Sequence, residues 1–247
     1  MRAVILAAGY ATRLYPVTRD RPKALLEVGG RTILDWLVES IEEIPEIGVA
    51  HLVTNHRFAG QFSMWRDGYR GRLAVDLLDD GTTDNETRRG AIGDLELAIE
   101  VRGLAEDLLV CAADNLLRFS LADLAGAFRA RPDVWICVRE LRDLEARRRT
   151  GIAVVSGDGR VLEFAEKPAE PRSCWAVPPV YLLPVRVLPL VAEHLAAGGS
   201  PDAPGHLLAS LCGRSPMWAH FIQGTVMDIG NAESLERARA EWNGRAR

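Results

Sequence analysis

Short apolar runs alternate with amphipathic stretches over residues 2–138, and this rhythm restricts the chain to a layered α/β architecture. Residues 2–7 form a continuous apolar run that ends in a glycine-containing loop, the pattern of a strand buried on both faces. From Thr32 to Ile44, the residues Ile33, Leu34, Trp36, Leu37, Ile41 and Ile44 recur at helical spacing. Further strands are predicted at Val49–Thr54, Leu73–Leu78, Leu108–Ala113 and Val134–Val138. Helices at Phe58–Trp65, Ala91–Ile99 and Leu121–Arg131 fall between them. Strand–helix alternation of this kind predicts βαβ units and a mixed, mainly parallel sheet with helices on both faces.

After about residue 150 the rhythm changes. Ile152–Ser156 and Val161–Phe164 flank Asp158-Gly159, a strong hairpin signal. Val177–Leu183 and Trp218–Ile222 read as strands, and Val185–Ala197, Ala203–Cys212 and Ala232–Asn243 as helices. No repeat or low-complexity linker separates the two regions. The expectation is one domain over residues 1–247, with a nucleotide-binding part to about 150 and the remainder extending the same sheet.

Composition excludes several classes. With 48% apolar and 26% charged residues the chain is neither disordered nor fibrous. A net charge of −4 argues against nucleic-acid binding. No apolar run approaches the ~20 residues of a membrane span, and the N-terminus has no secretory h-region. Cys111, Cys137, Cys174 and Cys212 are dispersed, as for free thiols in a reducing cytoplasm. The five histidines show no metal-ligand spacing. Of the 30 basic residues, only Lys23 and Lys167 are lysine, each beside a proline. A compact ammonium suits a phosphate in a narrow pocket better than a planar guanidinium does.

Ligands of open α/β sheets bind beyond the carboxyl ends of the strands. The first such end, Leu6-Ala7-Ala8-Gly9-Tyr10-Ala11-Thr12-Arg13-Leu14, offers small residues that let backbone N–H groups approach phosphate, with Arg13 adding charge. It is neither a dinucleotide fingerprint nor a Walker A loop. Followed by Arg21-Pro22-Lys23-Ala24-Leu25-Leu26-Glu27-Val28-Gly29-Gly30, it resembles the signature of the nucleotidyltransferases that join a nucleoside triphosphate to a sugar 1-phosphate, with Ala11 in place of a glycine. The resemblance extends to Cys111-Ala112-Ala113-Asp114-Asn115, to Gly151-Ile152-Ala153-Val154 with Glu163-Phe164-Ala165-Glu166-Lys167-Pro168, and to Met227-Asp228-Ile229-Gly230-Asn231. Ala176-Val177-Pro178-Pro179-Val180-Tyr181 departs from it: Pro179 replaces a glycine and removes a donor.

What the resemblance implies is a Rossmann-like, Mg²⁺-dependent enzyme that forms an NDP-sugar and releases pyrophosphate, with room for a homo-oligomer. It assigns Arg13 and Lys23 to catalysis. Leu6, Ala8, Gly9, Ala11, Thr12, Arg13 and Gly90 would bind the nucleotide, and Gly151, Glu166, Lys167 and Val177 the sugar phosphate. Asp114 and Asp228 would hold the metal; two hard carboxylates suit Mg²⁺ rather than zinc. Two alternatives stay open: the same chemistry on a choline or cyclitol phosphate, and a regulatory subunit that binds nucleotide sugars without catalysis.

In Gly90-Ala91-Ile92-Gly93-Asp94-Leu95, Gly93 falls where thymidylyl and uridylyl relatives carry a base-reading glutamine. Base recognition is therefore expected to rest on backbone groups beside Gly90, with at least two nucleoside triphosphates serving within about tenfold of each other.

Overall fold

The computed structural model describes residues 1–242. Its first half contains β1 (Arg2–Leu6), the hairpin β2 (Glu27–Val28) and β3 (Arg31–Thr32), α1 (Ile33–Glu42), β4 (Val49–Thr54), α2 (Ala59–Gly68), β5 (Ala74–Asp79) and α3 (Ala91–Arg102). Next come β6 (Leu108–Ala112), β7 (Asn115–Arg118), α4 (Leu121–Ala130), β8 (Val134–Glu140) and the short α5 (Leu144–Arg147). The second half adds β9 (Gly151–Val155), β10 (Val161–Glu166), β11 (Trp175–Val177), β12 (Val180–Leu183), α6 (Pro189–Ala196), α7 (Pro204–Cys212), β13 (Met217–Phe221), β14 (Thr225–Asp228) and α8 (Ala232–Glu241).

A ten-stranded sheet runs β10-β9-β11-β8-β12-β6-β1-β4-β5, with β13 also on β8. Strands β1, β4, β5, β6, β8, β9 and β13 point one way, and β10, β11 and β12 point against them. The sheet is thus mixed and mainly parallel. β1 is an interior strand, third from the β5 edge, with Ala3 and Ile5 packed into one core and Val4 into the other. That burial on both faces is why its sequence does not alternate. α1, α2 and α4 cover the first face through Leu34, Leu37, Phe62, Leu124 and Phe128. α3, α6 and α7 cover the second through Ile92, Leu95, Val191, Leu207 and Leu211.

Helix boundaries follow their local chemistry. Thr32 caps α1: its hydroxyl accepts from Asp35 N at 3.1 Å while Asp35 Oδ2 accepts from Thr32 N at 2.9 Å. The helix expected from Val185 begins later, as a short 3₁₀ turn at Val185–Val187 followed by α6, because Pro189 suits a helix start and not an interior. The helix expected over Ala232–Asn243 ends at Glu241, and Asn243 lies outside the described residues.

Two expectations are corrected. Val177–Leu183 is not one strand: Pro178 and Pro179 interrupt it, since neither can donate to a ladder. β11 consequently pairs with β9 and β8, while β12 is inserted between β6 and β8. The segments Asn115–Arg118 and Thr225–Asp228, not expected as strands, form a separate antiparallel ribbon. A third core of Leu14, Leu26, Ile33, Leu116, Ile229, Leu235 and Trp242 fastens that ribbon to α8 and to the loops carrying Arg13 and Lys23.

Candidate active site

The carboxyl ends of β1, β6 and β8 open into one cavity of about 690 Å³, within the range of small-molecule sites. Leu6, Ala8, Gly9, Ala11 and Arg13 from the first loop line it, with Gly90 at the start of α3. Lys23, Asp114 and Asp228 lie on its wall, as do Lys167 and Val177 from the second half. Eleven residues singled out in the sequence, from Leu6 to Asp228, thus converge on one cavity. Thr12, Gly151 and Glu166 do not line the cavity.

The ribbon explains how the two aspartates meet. Asp228 pairs in register with Asn115, the residue after Asp114, and Ile229 N donates to Asp114 O at 3.0 Å. Asp114 is held on both oxygens: Lys23 Nζ donates to Oδ2 and Asn115 Nδ2 to Oδ1, each at 2.6 Å. Asp228 is open to the cavity but crowded by its walls. Loss of solvation and the Asp114 charge raise its carboxyl above the usual range, against the pull of Lys23, Arg13 and Arg139.

Two side chains hold strained backbone. Ala11 sits at φ 49° and Lys167 at φ 46°, both in the left-handed region. Ala11 keeps the conformation despite its Cβ because its carbonyl accepts from Thr18 Oγ1 at 2.8 Å and from Leu14 N at 2.9 Å. Lys167 Nζ lies 3.6 Å from Glu166 Oε1 and is otherwise exposed toward the cavity. Strain at such positions is typical of ligand clamps.

Gly151 and Glu166 act behind the wall. A Cβ on Gly151 would meet Phe164 Cζ at 2.6 Å and Glu166 Oε2 at 3.1 Å, and one on Gly205 would meet Glu166 Cδ at 2.8 Å. The Glu166 carboxylate therefore packs between two glycines instead of facing the cavity. Gly90 has φ 79°, and a Cβ there would lie 2.9 Å from Asp202 Cα. Residues 201–202 also cap α3, with Ile92 N donating to Pro201 O at 2.8 Å. Glycine is needed at position 90 for this chain crossing as well as for the cavity.

The cavity holds residues that the sequence did not single out. Arg139, at the carboxyl end of β8, faces it; burial lowers the guanidinium pKa, opposed by the nearby Asp228. The strand-end rule that marked Asp114 applies equally there. Arg88, Arg149 and Asp202 also line the wall, and so does Asp94, one residue after Gly93.

A nucleotidyl transferase family model matches residues 2–243. The chain belongs to the nucleotidyl transferase family. It is 31% identical over 180 residues to the UTP–glucose-1-phosphate uridylyltransferase AglF of Haloferax volcanii, covering 70% of this chain and 68% of that protein. A UTP–glucose-1-phosphate uridylyltransferase of Synechocystis is 25% identical, covering 96% of this chain and 62% of its own length. The chain therefore spans about two thirds of these relatives. Its fold superposes on a UDP-glucose pyrophosphorylase complexed with UDP-glucose, with a TM-score of 0.84, 18% identity and 97% of each chain covered.

Proposed function

We propose that this protein transfers a nucleotidyl group from a nucleoside triphosphate to a sugar 1-phosphate, forming an NDP-sugar and pyrophosphate. The observation that carries this reading is the single cavity in which Arg13, Lys23, Asp114, Asp228 and Lys167 meet. Family membership and the uridylyltransferase relatives support it. A phosphate monoester has a second pKa of about 6, so a sugar 1-phosphate is already dianionic near neutral pH and needs no general base. Its phosphate oxygen attacks the α-phosphorus, the α–β phosphoanhydride bond breaks, and pyrophosphate leaves with the bonding electrons. The protein's task is to align three anionic groups and suppress their repulsion.

Within this reading Arg13 and Lys23 stabilise the departing pyrophosphate, and Lys167 holds the incoming phosphate. Leu6, Ala8, Gly9, Ala11 and Arg13 of the first loop and Gly90 enclose the nucleotide, with Thr12 holding that loop from outside the cavity; Val177 borders the sugar phosphate. Gly151 and Glu166 support the Lys167 turn from behind. Arg139 adds positive charge opposite Asp228.

The donor set fits a hard divalent cation: Asp114 and Asp228 supply carboxylate oxygen, and no cysteine or histidine lines the cavity. No group of three or more candidate ligands occurs among the described residues, so substrate phosphates would complete the shell, as is usual for Mg²⁺. Such an ion, when bound, neutralises phosphate charge. No helix of the described residues is long and apolar enough to cross a membrane. The cysteines are free, consistent with a cytoplasmic enzyme.

Pyrophosphate release measured over a matrix of nucleoside triphosphates and phosphate acceptors tests the reading. Release with a sugar 1-phosphate is expected. Release only with choline phosphate or a cyclitol phosphate would replace the acceptor, and binding without release would indicate a regulatory subunit.

A further inference from the structure

Next to the start of α3, two carboxyl groups are buried side by side. Asp80 follows the end of β5 and is 4% exposed; Asp94 lies in the first turns of α3 and is 5% exposed. The two carboxyl groups lie close enough to interact, and the Asp80 charge raises the Asp94 carboxyl. Asp80 Oδ1 is fully engaged, accepting from Thr82 N at 2.7 Å and from Thr82 Oγ1 at 2.8 Å. Thr82 Oγ1 in turn lies 3.0 Å from Tyr10 Oη, in the loop between Gly9 and Ala11. Asp80 Oδ2 and Asp94 Oδ1 are enclosed and meet no N–H or O–H donor. With neither oxygen meeting a donor, one proton shared between the two carboxyl groups would satisfy both. Asp94 also lines the cavity, so its remaining oxygen, Oδ2, is the one available to a ligand.

We propose that Asp94, backed by Asp80, is the base-contacting side chain of the nucleotide subsite, its outer oxygen accepting an N–H from the Watson–Crick edge of the nucleobase. This rests on the nucleotidyltransferase reading above. The phosphate machinery of Arg13, Lys23, Asp114 and Asp228 and the Lys167 side chain occupy other parts of the lining; Leu6, Gly90, Ala91 and Asp94 line the stretch where the base would lie.

Burial and the Asp80 charge push the Asp94 carboxyl up to about 8, with Arg89 opposing, so near neutral pH it is an uncharged acid. The other charged neighbours are Asp79, beside Asp80, and Arg89, whose Nε donates to Asp80 O at 3.0 Å. A neutral acceptor adds no repulsion toward a triphosphate. Each common base presents an N–H on its Watson–Crick edge, so a single acceptor favours binding without strict choice among bases. On this proposal the Asp94 side chain joins the backbone groups expected from sequence to read the base.

Asparagine is the diagnostic substitution. Asp94→Asn can donate from Nδ2 to Asp80 and keep a carbonyl oxygen facing the base, mimicking the protonated acid. Asp94→Ala keeps neither. Calorimetric binding of UTP and of its N3-methyl analogue, which lacks the N–H, reads the contact directly. The expected result is that Asp94→Asn binds UTP within about threefold of wild type and Asp94→Ala binds about tenfold or more weakly. N3-methylation should weaken binding to wild type and Asp94→Asn and make little difference to Asp94→Ala. Equal UTP affinity in wild type and Asp94→Ala, or equal loss on N3-methylation in both, would overturn the assignment. Pyrophosphate release by the wild type keeps the two readings apart: its absence with every substrate pair would count against the nucleotidyltransferase itself, whereas its presence with an inert Asp94 counts against this inference alone. Circular dichroism and melting of each variant separate lost contact from lost fold.

Discussion

Lys23 Nζ lies 2.6 Å from Asp114 Oδ2, so the carboxylate that the proposed reading offers to a divalent cation is already held by the lysine it assigns to phosphate. Both side chains are largely screened from solvent, at 16% and 28% exposure, which makes the pair more than a surface contact. On the proposed function, Lys23 neutralises Asp114 in the absence of a cation, and substrate phosphates would offer it a competing partner.

Removing the ammonium should therefore separate two effects. Lys23→Ala is expected to lower turnover by about 10²-fold or more, the scale of a lost transition-state charge contact, while tightening Mn²⁺ binding to the nucleotide-free protein. Lys23→Arg should also lose turnover, because the point-charge geometry is changed. Steady-state kinetics and Mn²⁺ titration check this; wild-type kinetics for Lys23→Arg would contradict it. By contrast, Lys167→Ala should mainly raise the apparent KM for the phosphate acceptor, since it holds that group in ground and transition states alike.

Asp228 should show function at odds with stability. Its carboxyl is raised by burial and by Asp114, so ionisation near neutral pH destabilises the fold. Asp228→Asn is expected to abolish divalent-dependent activity and leave Tm unchanged or higher. A Tm fall of several degrees would show that Asp228 has a structural role instead.

The buried carboxyl pair sets a pH dependence of stability. Asp94 has an ordinary carboxylate value of 3.8 when exposed and about 8 in the fold, so the folded chain holds a proton that the unfolded chain releases. Its contribution is complete below the unfolded value and is lost as pH rises through about 8. Melting curves between about pH 6 and pH 9 should show Tm falling more steeply in wild type than in Asp94→Asn. Parallel curves would mean that the pair does not share a proton.

Gly90→Ala should be destabilising by about 1–3 kcal/mol, the usual cost of a strained backbone position. The added Cβ meets residues 201–202, and φ 79° disfavours any L side chain. Thermal melting checks the stability, and nucleotide binding should weaken with it; an unchanged Tm would contradict the close crossing.

Much of this arrangement was legible in the chain because its signals are local. β1 shows as an unbroken apolar run, and Lys23 and Lys167 stand out among arginines. Asp114 is conspicuous at a strand end. The Asn115–Arg118 and Thr225–Asp228 ribbon was not legible: each strand has four residues, and the partners are about 110 positions apart with no hairpin turn between. That ribbon brings Asp114 and Asp228 together, so their convergence followed from the resemblance and not from periodicity. Pro178-Pro179 did carry a signal that the strand breaks, but which neighbours each half would pair with depends on the whole sheet. Glu166 was placed by its sequence neighbourhood beside Lys167, whereas the alternation of β10 and the two facing glycines turn it away from the cavity. The sequence pattern points to Gly93 and not to its neighbour Asp94. Its position between Ile92 and Leu95, both buried on α3, was a sign of an acidic group in an apolar setting.

The most direct measurement follows both products by ³¹P NMR after mixing the protein with Mg²⁺, a nucleoside triphosphate and glucose 1-phosphate. The account predicts equal amounts of pyrophosphate and of a new pyrophosphodiester, both absent with chelator and in the Asp114→Asn, Asp228→Asn double variant. Triphosphate hydrolysis without a pyrophosphodiester, or undiminished product from the double variant, would contradict it.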